Sequence, residues 1–282
     1  MIKFISRCGG KRMLKEDPEY IFRHDARPEA VHDLADVDEN ATELVITGKT
    51  KNIERLNSFS NLTKLWIYKV GQKEFNTILS LVNPKMLYMR ELRVEDLSII
   101  SSLQDVEVLS LEWNTKAQSL WDLSKNTFLK SLSLTDFSKL NDIAPLQKNT
   151  DLEWLQLSGG IWNTLNLNTL QPLRYLKHLK YLCLSNIKVK DESLEPISAL
   201  EGLKELDISN QFPTEEYARL SVTLPNTKCD RFAPYIFLSS PIVDKDVMVI
   251  GKRKPKLNSK VDGEKLQKYE KQFKAYQEKY KN

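Results

Sequence analysis

The sequence has few cysteines, few glycines and no long apolar run. Its 282 residues include 3 Cys and 9 Gly, and no stretch of about 18 apolar residues could span a membrane as a helix. Cys8, Cys183 and Cys229 are too few and too scattered for a disulfide framework. The first ten residues lack the apolar stretch of about 7 to 15 residues that a secretory signal needs. We therefore expect a cytoplasmic protein with no membrane span.

Motifs for catalysis are also missing. The chain has no Gly-rich phosphate loop, no nucleophile elbow and no pair of histidines on a helix. His24 and His32 lie among acidic residues, but their spacing matches no zinc pattern. The formal net charge of +4 is nearly balanced, which gives little reason to expect nucleic acid. We predict a protein that is not an enzyme and that carries no metal or cofactor.

What the sequence does contain is a repeated hexapeptide. Its clearest copies are Leu-Thr-Lys-Leu-Trp-Ile at 62–67, Leu-Lys-Ser-Leu-Ser-Leu at 129–134, Leu-Glu-Trp-Leu-Gln-Leu at 152–157, Leu-Lys-Tyr-Leu-Cys-Leu at 179–184 and Leu-Lys-Glu-Leu-Asp-Ile at 203–208. The fourth residue of each copy is named here the phase leucine. With weaker copies, the phase leucines are Leu44, Leu65, Leu87, Leu109, Leu132, Leu155, Leu182 and Leu206. Their spacing of 21 to 27 residues indicates a solenoid.

Apolar residues also recur every three positions before each phase leucine, as in Leu173, Leu176 and Leu179. This spacing predicts a short helical or 3₁₀ stretch followed by one brief strand. The pattern L-x-x-L-x-L over residues 41–208 resembles the leucine-rich repeat family. Residues 94–106 and 140–152 are most similar to its short-repeat, internalin-like bacterial variety. The resemblance implies an α/β solenoid, a right-handed horseshoe of about eight strands in a parallel sheet, in a bacterial protein.

The chain departs from that family at one turn position. Five residues after the phase leucine the family typically has Asn or Cys, and here only Asn114 fits. The other copies carry Lys49, Val70, Leu92, Phe137, Gly160, Ile187 and Gln211. We expect the turn backbone to find its hydrogen bonds in water or neighbouring turns.

Both ends of a repeat stack need caps, and the sequence divides accordingly. Residues 1–40 are predicted to form an N-terminal cap with a short helix at 27–37. Residues 41–211 form the leucine-rich repeat solenoid. Residues 212–251 form a C-terminal cap, with a helix at 214–226 and strands at 235–238 and 246–251. Residues 252–282 form a basic linker and an amphipathic helix.

The last segment leaves alternatives open. From Lys245 onward the chain has 12 Lys/Arg against 5 Asp/Glu. The linker is either solvated or in contact with an anionic surface. The helical seam of Leu266, Tyr269, Phe273, Tyr276 and Tyr280 must bury itself, either on the end of the solenoid or on a partner or second copy.

Side chains alternate along a strand, so the residues between the leucines form columns on the opposite, concave face. Large side chains gather there beside an Arg and a Glu. The candidate partner-binding residues are Trp66, Tyr68, Met86, Tyr88, Arg90, Val108, Glu112, Trp113, Trp154 and Tyr181. Such a patch is typical of binding hot spots. The alternative is that these rings cover one another or are covered by a terminal segment. Trp121 and Trp162 fall outside the strands and are assigned to turn packing.

Two functional hypotheses follow, and a third, a self-contained hydrolase, is disfavoured. The first is a non-catalytic protein-binding scaffold, in a narrower form an immunity-type protein that neutralises or guards its partner. The second is a substrate-recognition subunit that reaches a separate catalytic chain through the helix at Leu266 to Tyr280. The partner is a protein of unknown identity in either case, and a monomer is the default oligomeric state.

Overall fold

The computed structural model describes residues 18–23 and 27–281. Cys8, His24 and half of the predicted N-terminal cap lie outside the described residues. Four α-helices are described: α1 (Pro18–Ile21), α2 (Gln72–Leu79), α3 (Thr214–Thr223) and α4 (Gly263–Glu278). The strands are β1 (Glu43–Thr47), β2 (Lys64–Gly71), β3 (Met86–Arg93), β4 (Val108–Asn114), β5 (Ser131–Phe137), β6 (Trp154–Ser158), β7 (Leu165–Leu167), β8 (Tyr181–Ser185), β9 (Ile187–Val189), β10 (Glu205–Ile208), β11 (Tyr235–Ile242), β12 (Lys245–Val249) and β13 (Lys256–Leu257).

One parallel sheet runs through the solenoid in the order β1-β2-β3-β4-β5-β6-β8-β10. All eight phase leucines lie side by side in its register, from Leu44 beside Leu65 to Leu182 beside Leu206. Each is almost fully buried, because stacking the repeats joins their leucines into one continuous core. The predicted eight-stranded leucine-rich repeat solenoid is confirmed.

The three-residue spacing before each strand forms 3₁₀ turns, as predicted. They span Ile53–Ser58, Ser98–Ser102, Leu123–Lys125, Ala144–Lys148, Gln171–Tyr175 and Glu195–Ala199. The repeat before β3 differs, since α2 replaces the 3₁₀ turn and buries Phe75, Ile78 and Leu79. Glu74 accepts a hydrogen bond from Gly71 N at the start of α2, which is half of a capping box.

Asn114 acts as the family pattern implies. It is fully buried, donates from Nδ2 to Val94 O and accepts from the backbone N–H groups of Lys116 and Ala117. Where this Asn is absent, Val70, Leu92, Phe137 and Ile187 join the core instead. Neighbouring turns then supply backbone hydrogen bonds, as expected; for example, Lys190 N donates to Leu167 O.

The predicted helix at 27–37 is wrong. Only Leu34–Asp36 forms a 3₁₀ turn, with the Asp33 carboxylate accepting from Ala35 N. The preceding residues are extended because Val31 N donates to Val45 O on the edge strand β1, and Asp33 forms a parallel bridge with Lys51. Pairing with the solenoid therefore overrides the local helical tendency.

At the other end, α3 closes the last repeat. Tyr217 is fully buried; its hydroxyl donates to Ser209 O and accepts from Gln211 N and Phe212 N. Burial raises the pKa of Tyr217 to about 12. The predicted strand pair is present as β11 and β12, which are antiparallel and joined by β13.

The C-terminal helix docks on this cap. Phe273 of α4 joins the main core, and Leu266 packs with Val247, Val249 and Leu257. Gln277 Nε2 donates to Ser221 Oγ of α3 at 2.9 Å. The helical seam is therefore buried against this chain's own C-terminal cap, which is the first of the two predicted alternatives. In the linker, Lys252 pairs with Glu192.

Candidate protein-binding face

Adjacent strands bring most of the predicted binding residues together in two groups. The first, named here the aromatic cluster, comprises Trp66, Tyr68, Met86, Tyr88 and Val108 on β2, β3 and β4, with Arg90 and Glu112 beside it. The second is the pair Trp154 and Tyr181 on β6 and β8, whose rings stack at 4.9 Å with an angle of 11°. Trp113 joins neither group.

The aromatic cluster is covered by a residue that sequence reasoning missed. Phe22, directly after α1, is 8% exposed and lies edge-on to Trp66, with ring centroids 5.8 Å apart at 82°. Its ring also contacts Tyr88 at 5.6 Å. Nothing in the sequence around Phe22 has a periodicity that would mark it. The position of this ring is set by the cluster it contacts.

At three sites the structure has the alternative arrangement, in which these side chains cover one another or are covered by a terminal segment. Trp66 is fully buried, and Val108 and Trp154 are also buried. Trp66 lies beneath Phe22, Val108 belongs to the same cluster, and Trp154 is stacked against Tyr181. Tyr68, Met86, Tyr88, Arg90, Glu112 and Tyr181 are partly buried. Whether these residues bind a partner stays a prediction.

Charged groups surround the aromatic cluster. Tyr88 donates its hydroxyl to Glu112 Oε2 at 2.6 Å, and Arg90 Nε lies 3.9 Å from Glu112 Oε1. Burial and the Glu112 carboxylate both raise the pKa of Tyr88, so this hydroxyl stays protonated and remains a donor at neutral pH. The Lys64 ammonium lies 4.6 Å from the centre of the Trp66 ring, within the range of a cation–π contact.

Arg27 supplies a second cation at the edge of the cluster. Its guanidinium lies 5.0 Å from the centre of the Tyr68 ring, and its Nη1 donates to the Tyr68 hydroxyl at 2.5 Å. Burial raises the pKa of Tyr68, which keeps that hydroxyl neutral. The Tyr68 and Tyr88 rings are 5.7 Å apart. Residues before β1 therefore contact the cluster twice, through a ring and through an arginine.

Trp113 and Trp162 lie at the edge where the strands end. Trp113 has a positive φ of 61° and is 43% exposed. Trp162 lies two residues after Gly160 and is 92% exposed, so its assignment to turn packing is wrong. Trp121 is buried, and its Nε1 donates to Asn126 Oδ1 at 2.7 Å, which agrees with turn packing.

Among the described residues, no group of three His, Cys, Asp or Glu side chains could hold a metal ion. His32 is exposed, and His178 lies 3.2 Å from Asp151 on the surface. A cleft of about 200 Å³ between the turn after β1 and α2 is lined by residues that include Thr50, Lys73 and Thr77. It is smaller than most small-molecule sites.

Within residues 18–23 and 27–281, no helix is both long and apolar enough to cross a bilayer.

Comparisons with known proteins identify the fold. No protein-family model matches the chain, and no curated protein matches it. Among solved structures, an internalin (InlF) from Listeria monocytogenes is 18% identical, over 67% of this chain and 66% of that one, with a TM-score of 0.43. A leucine-rich repeat protein of Leptospira interrogans is 23% identical, over 61% of this chain and 43% of that one, with a TM-score of 0.50.

A plant peptide hormone receptor, RGFR1 in complex with RGF2, is 15% identical, over 71% of this chain and 36% of that one, with a TM-score of 0.47. This chain therefore spans less than two thirds of each of the three solved chains. The likeness to the Leptospira protein concerns the fold alone. This likeness and the phase leucines, which lie side by side in neighbouring strands, together identify a leucine-rich repeat solenoid.

Proposed function

We propose that this protein is a non-catalytic scaffold that binds a protein partner with the concave face of its solenoid. Repeat proteins of this architecture generally use the curved sheet as an extended binding surface rather than as a catalytic site. The observation that carries the proposal is the aromatic cluster beside an Arg90–Glu112 ion pair, on three adjacent strands. Tyr, Trp and Arg are the residues that dominate the binding energy of protein interfaces.

The seated Phe22 ring supports this proposal, because an aromatic side chain already fits the cluster. The stacked Trp154 and Tyr181 offer a second aromatic contact on β6 and β8, two and three strands beyond β4 in the sheet. Buried small and polar residues, including Ser110, Ser133 and Gln156, lie between the two groups. A partner segment lying across the strands could contact both groups.

The experiment is capture of a partner from the native host, followed by affinity measurement with two matched variants. Trp113→Ala with Tyr181→Ala removes two rings that lie on or beside the face. Phe128→Ala with Tyr175→Ala removes two exposed rings that lie outside the strands. We expect the first variant to lose at least about tenfold in affinity, as for truncated hot-spot residues. The second variant should bind like the unchanged protein.

A partner held equally by both folded variants would contradict the proposal. An immunity-type role is the narrower form, and its test is whether the captured partner loses its own activity when bound. The alternative, a substrate-recognition subunit, would need a surface other than the apolar seam of α4, since Leu266 and Phe273 are buried within this chain.

A further inference from the structure

We propose that the aromatic cluster binds a partner segment that carries an aromatic residue followed by an arginine, and that Phe22 and Arg27 of this chain compete for the same site. The inference rests on the proposed function and adds to it the chemistry of the partner and the means by which the site is kept covered. Phe22 and Arg27, five positions apart, are the two described contacts that define this chemistry.

The ring site is fitted to an aromatic side chain. Phe22 meets Trp66 edge-on and Tyr88 at a tilt of 43°, two arrangements that aromatic pairs favour. Val45, Val108 and Met86 complete the apolar wall around it. The Lys64 ammonium lies 5.9 Å from the Phe22 ring centre as well as over Trp66. A Phe, Tyr or Trp from another chain would find the same surroundings.

The arginine site lies beside the ring site. Arg27 binds both the face and the hydroxyl of Tyr68, and Tyr68 contacts Tyr88, which is hydrogen-bonded to Glu112. Arginine suits this position because its planar guanidinium stacks on aromatic rings while donating hydrogen bonds. A lysine would lose the planar stacking, so the preference is for arginine.

Residues 18–23, named here the internal segment, have little secondary structure of their own that would hold Phe22 in place. The helix of this segment, α1, is a single turn of four residues, and so short a helix is unstable alone. Its order therefore depends on the contacts of Ile21 and Phe22 with the cluster. In contrast, the 16-residue α4 at the other end is held by Leu266, Phe273 and the hydrogen bond from Gln277 to Ser221.

A second observation points to an external ligand. Trp66 Nε1 is buried, and no acceptor among the described residues lies within hydrogen-bond distance of it. A buried donor without an acceptor is costly and rare in native structures. The Phe22 ring offers no oxygen, so the internal segment fills the site without satisfying this donor. A partner segment whose backbone or side-chain oxygen reached Nε1 would bind better than the internal segment.

The test uses the full-length protein and a fluorescein-labelled peptide with the sequence of residues 18–27 as the probe. Binding is measured by fluorescence polarisation to the unchanged protein, to Phe22→Asp and to Phe128→Asp. Phe128 is an exposed phenylalanine away from the face, so Phe128→Asp is the matched control. We expect Phe22→Asp to bind the peptide at least tenfold more tightly than the unchanged protein, and Phe128→Asp to match the unchanged protein.

Two further arms test the chemistry. Replacing Phe by Ala in the peptide should abolish binding to Phe22→Asp, and replacing the last Arg by Lys should weaken it several-fold. Adding Tyr88→Ala to Phe22→Asp should also abolish binding. Equal binding to Phe22→Asp and the unchanged protein, or no binding to a folded Phe22→Asp protein, would overturn the proposal.

If Phe22→Asp does not fold, the proposal is tested by hydrogen exchange on the unchanged protein instead. An excess of peptide should then speed exchange at the amides of residues 19–23, and unchanged exchange would overturn the proposal. The two proposals fail separately. A partner lost by Trp113→Ala with Tyr181→Ala, but no peptide binding by Phe22→Asp, leaves the scaffold function standing. If Phe22→Asp binds the peptide but Trp113→Ala with Tyr181→Ala does not weaken binding of a partner, the competition by Phe22 stands and the scaffold function does not.

Discussion

At the scale of single residues, buried asparagines join neighbouring repeats. Asn126 is fully buried; its Nδ2 donates to Ile100 O and Leu103 O of the preceding repeat, and its Oδ1 accepts from Trp121. Asn149, one repeat later, donates in turn to Asn126 O. Other repeats place leucine at this position, as in Leu176 and Leu200. The two asparagines therefore form a short ladder across three repeats.

Replacing Asn126 by leucine should destabilise the protein although leucine fits the repeat pattern. The change leaves Leu103 O and Trp121 Nε1 without their described partners. Each buried polar group left unpaired costs about 1 to 3 kcal/mol, so for these two groups we expect a loss of about 2 to 6 kcal/mol in the free energy of unfolding. Urea denaturation followed by circular dichroism measures it.

The matched control is Asn166→Leu, at an exposed residue whose Nδ2 donates only locally, to Thr164 O. It should change the unfolding free energy by less than about 0.5 kcal/mol, as surface substitutions usually do. Equal effects of the two substitutions would contradict the role of the ladder.

At the scale of elements, the small sheet of the C-terminal cap is tied to the segment before α4 by a carboxylate. Asp246 of β12 accepts hydrogen bonds from the Ser259 hydroxyl at 2.6 Å and from Ser259 N at 2.8 Å. These bonds hold the pKa of Asp246 below its usual value. A lowered pKa means that the folded state favours the ionised carboxylate more than the unfolded chain does.

This carboxylate should make the cap sensitive to acid. Its stabilising contribution is present above the unfolded pKa of about 4 and is lost as the pH falls through the lower pKa of the folded state. We expect Asp246→Asn to be less stable than the unchanged protein at pH 7, with the difference shrinking toward pH 3. Thermal unfolding across that range measures it. Asp244→Asn, at the exposed turn of the same hairpin, is the control and should leave the pH dependence unchanged.

The elements also define how far the sequence predicts the structure. The phase leucines and the 3₁₀ turns follow from apolar spacing, because every repeat buries the same positions. The strand pair and the C-terminal helix lie outside the repeats and follow from strand-like residues and from the helical seam. Helix α2 was missed: Glu74 accepts a hydrogen bond from Gly71 N at its start, but Gly lacks the side-chain oxygen that the capping-box sequence signal needs. The helix expected at 27–37 is wrong because Val31 bonds to β1, a contact that no local pattern reveals.

The candidate site was only partly predictable. Strand alternation put Trp66 and Tyr88 on one face, and the register has them side by side. That register follows from the stacking of the leucines. The burial of Trp66 could not be predicted, because it depends on Phe22, 44 positions earlier in the chain and without a repeat of its own.

At the scale of the whole molecule, contacts run mainly between neighbouring repeats, and the C-terminal cap is bound to the last ones. In α3, Glu216 accepts from Leu194 N in the last turn of the solenoid, and Tyr217 binds Ser209 O just after β10. Helix α4 packs on α3 and donates to Ser221. The stability of such a stack is a sum of repeat and nearest-neighbour terms. Damage to the cap should therefore spread inward only gradually.

Truncation after Lys260 tests this arrangement. It removes the buried side chains of Leu266 and Phe273, worth about 1.5 to 3 kcal/mol each, and uncovers Val247 and Leu257. Hydrogen exchange should become faster in α3, β10 and β8 and stay unchanged in β2, β3 and β4. Phe273→Ala should act in the same direction with a smaller effect, whereas Lys271→Ala on the exposed side of α4 should have none. Faster exchange in all strands alike would mean that the solenoid opens as one unit, against a nearest-neighbour stack.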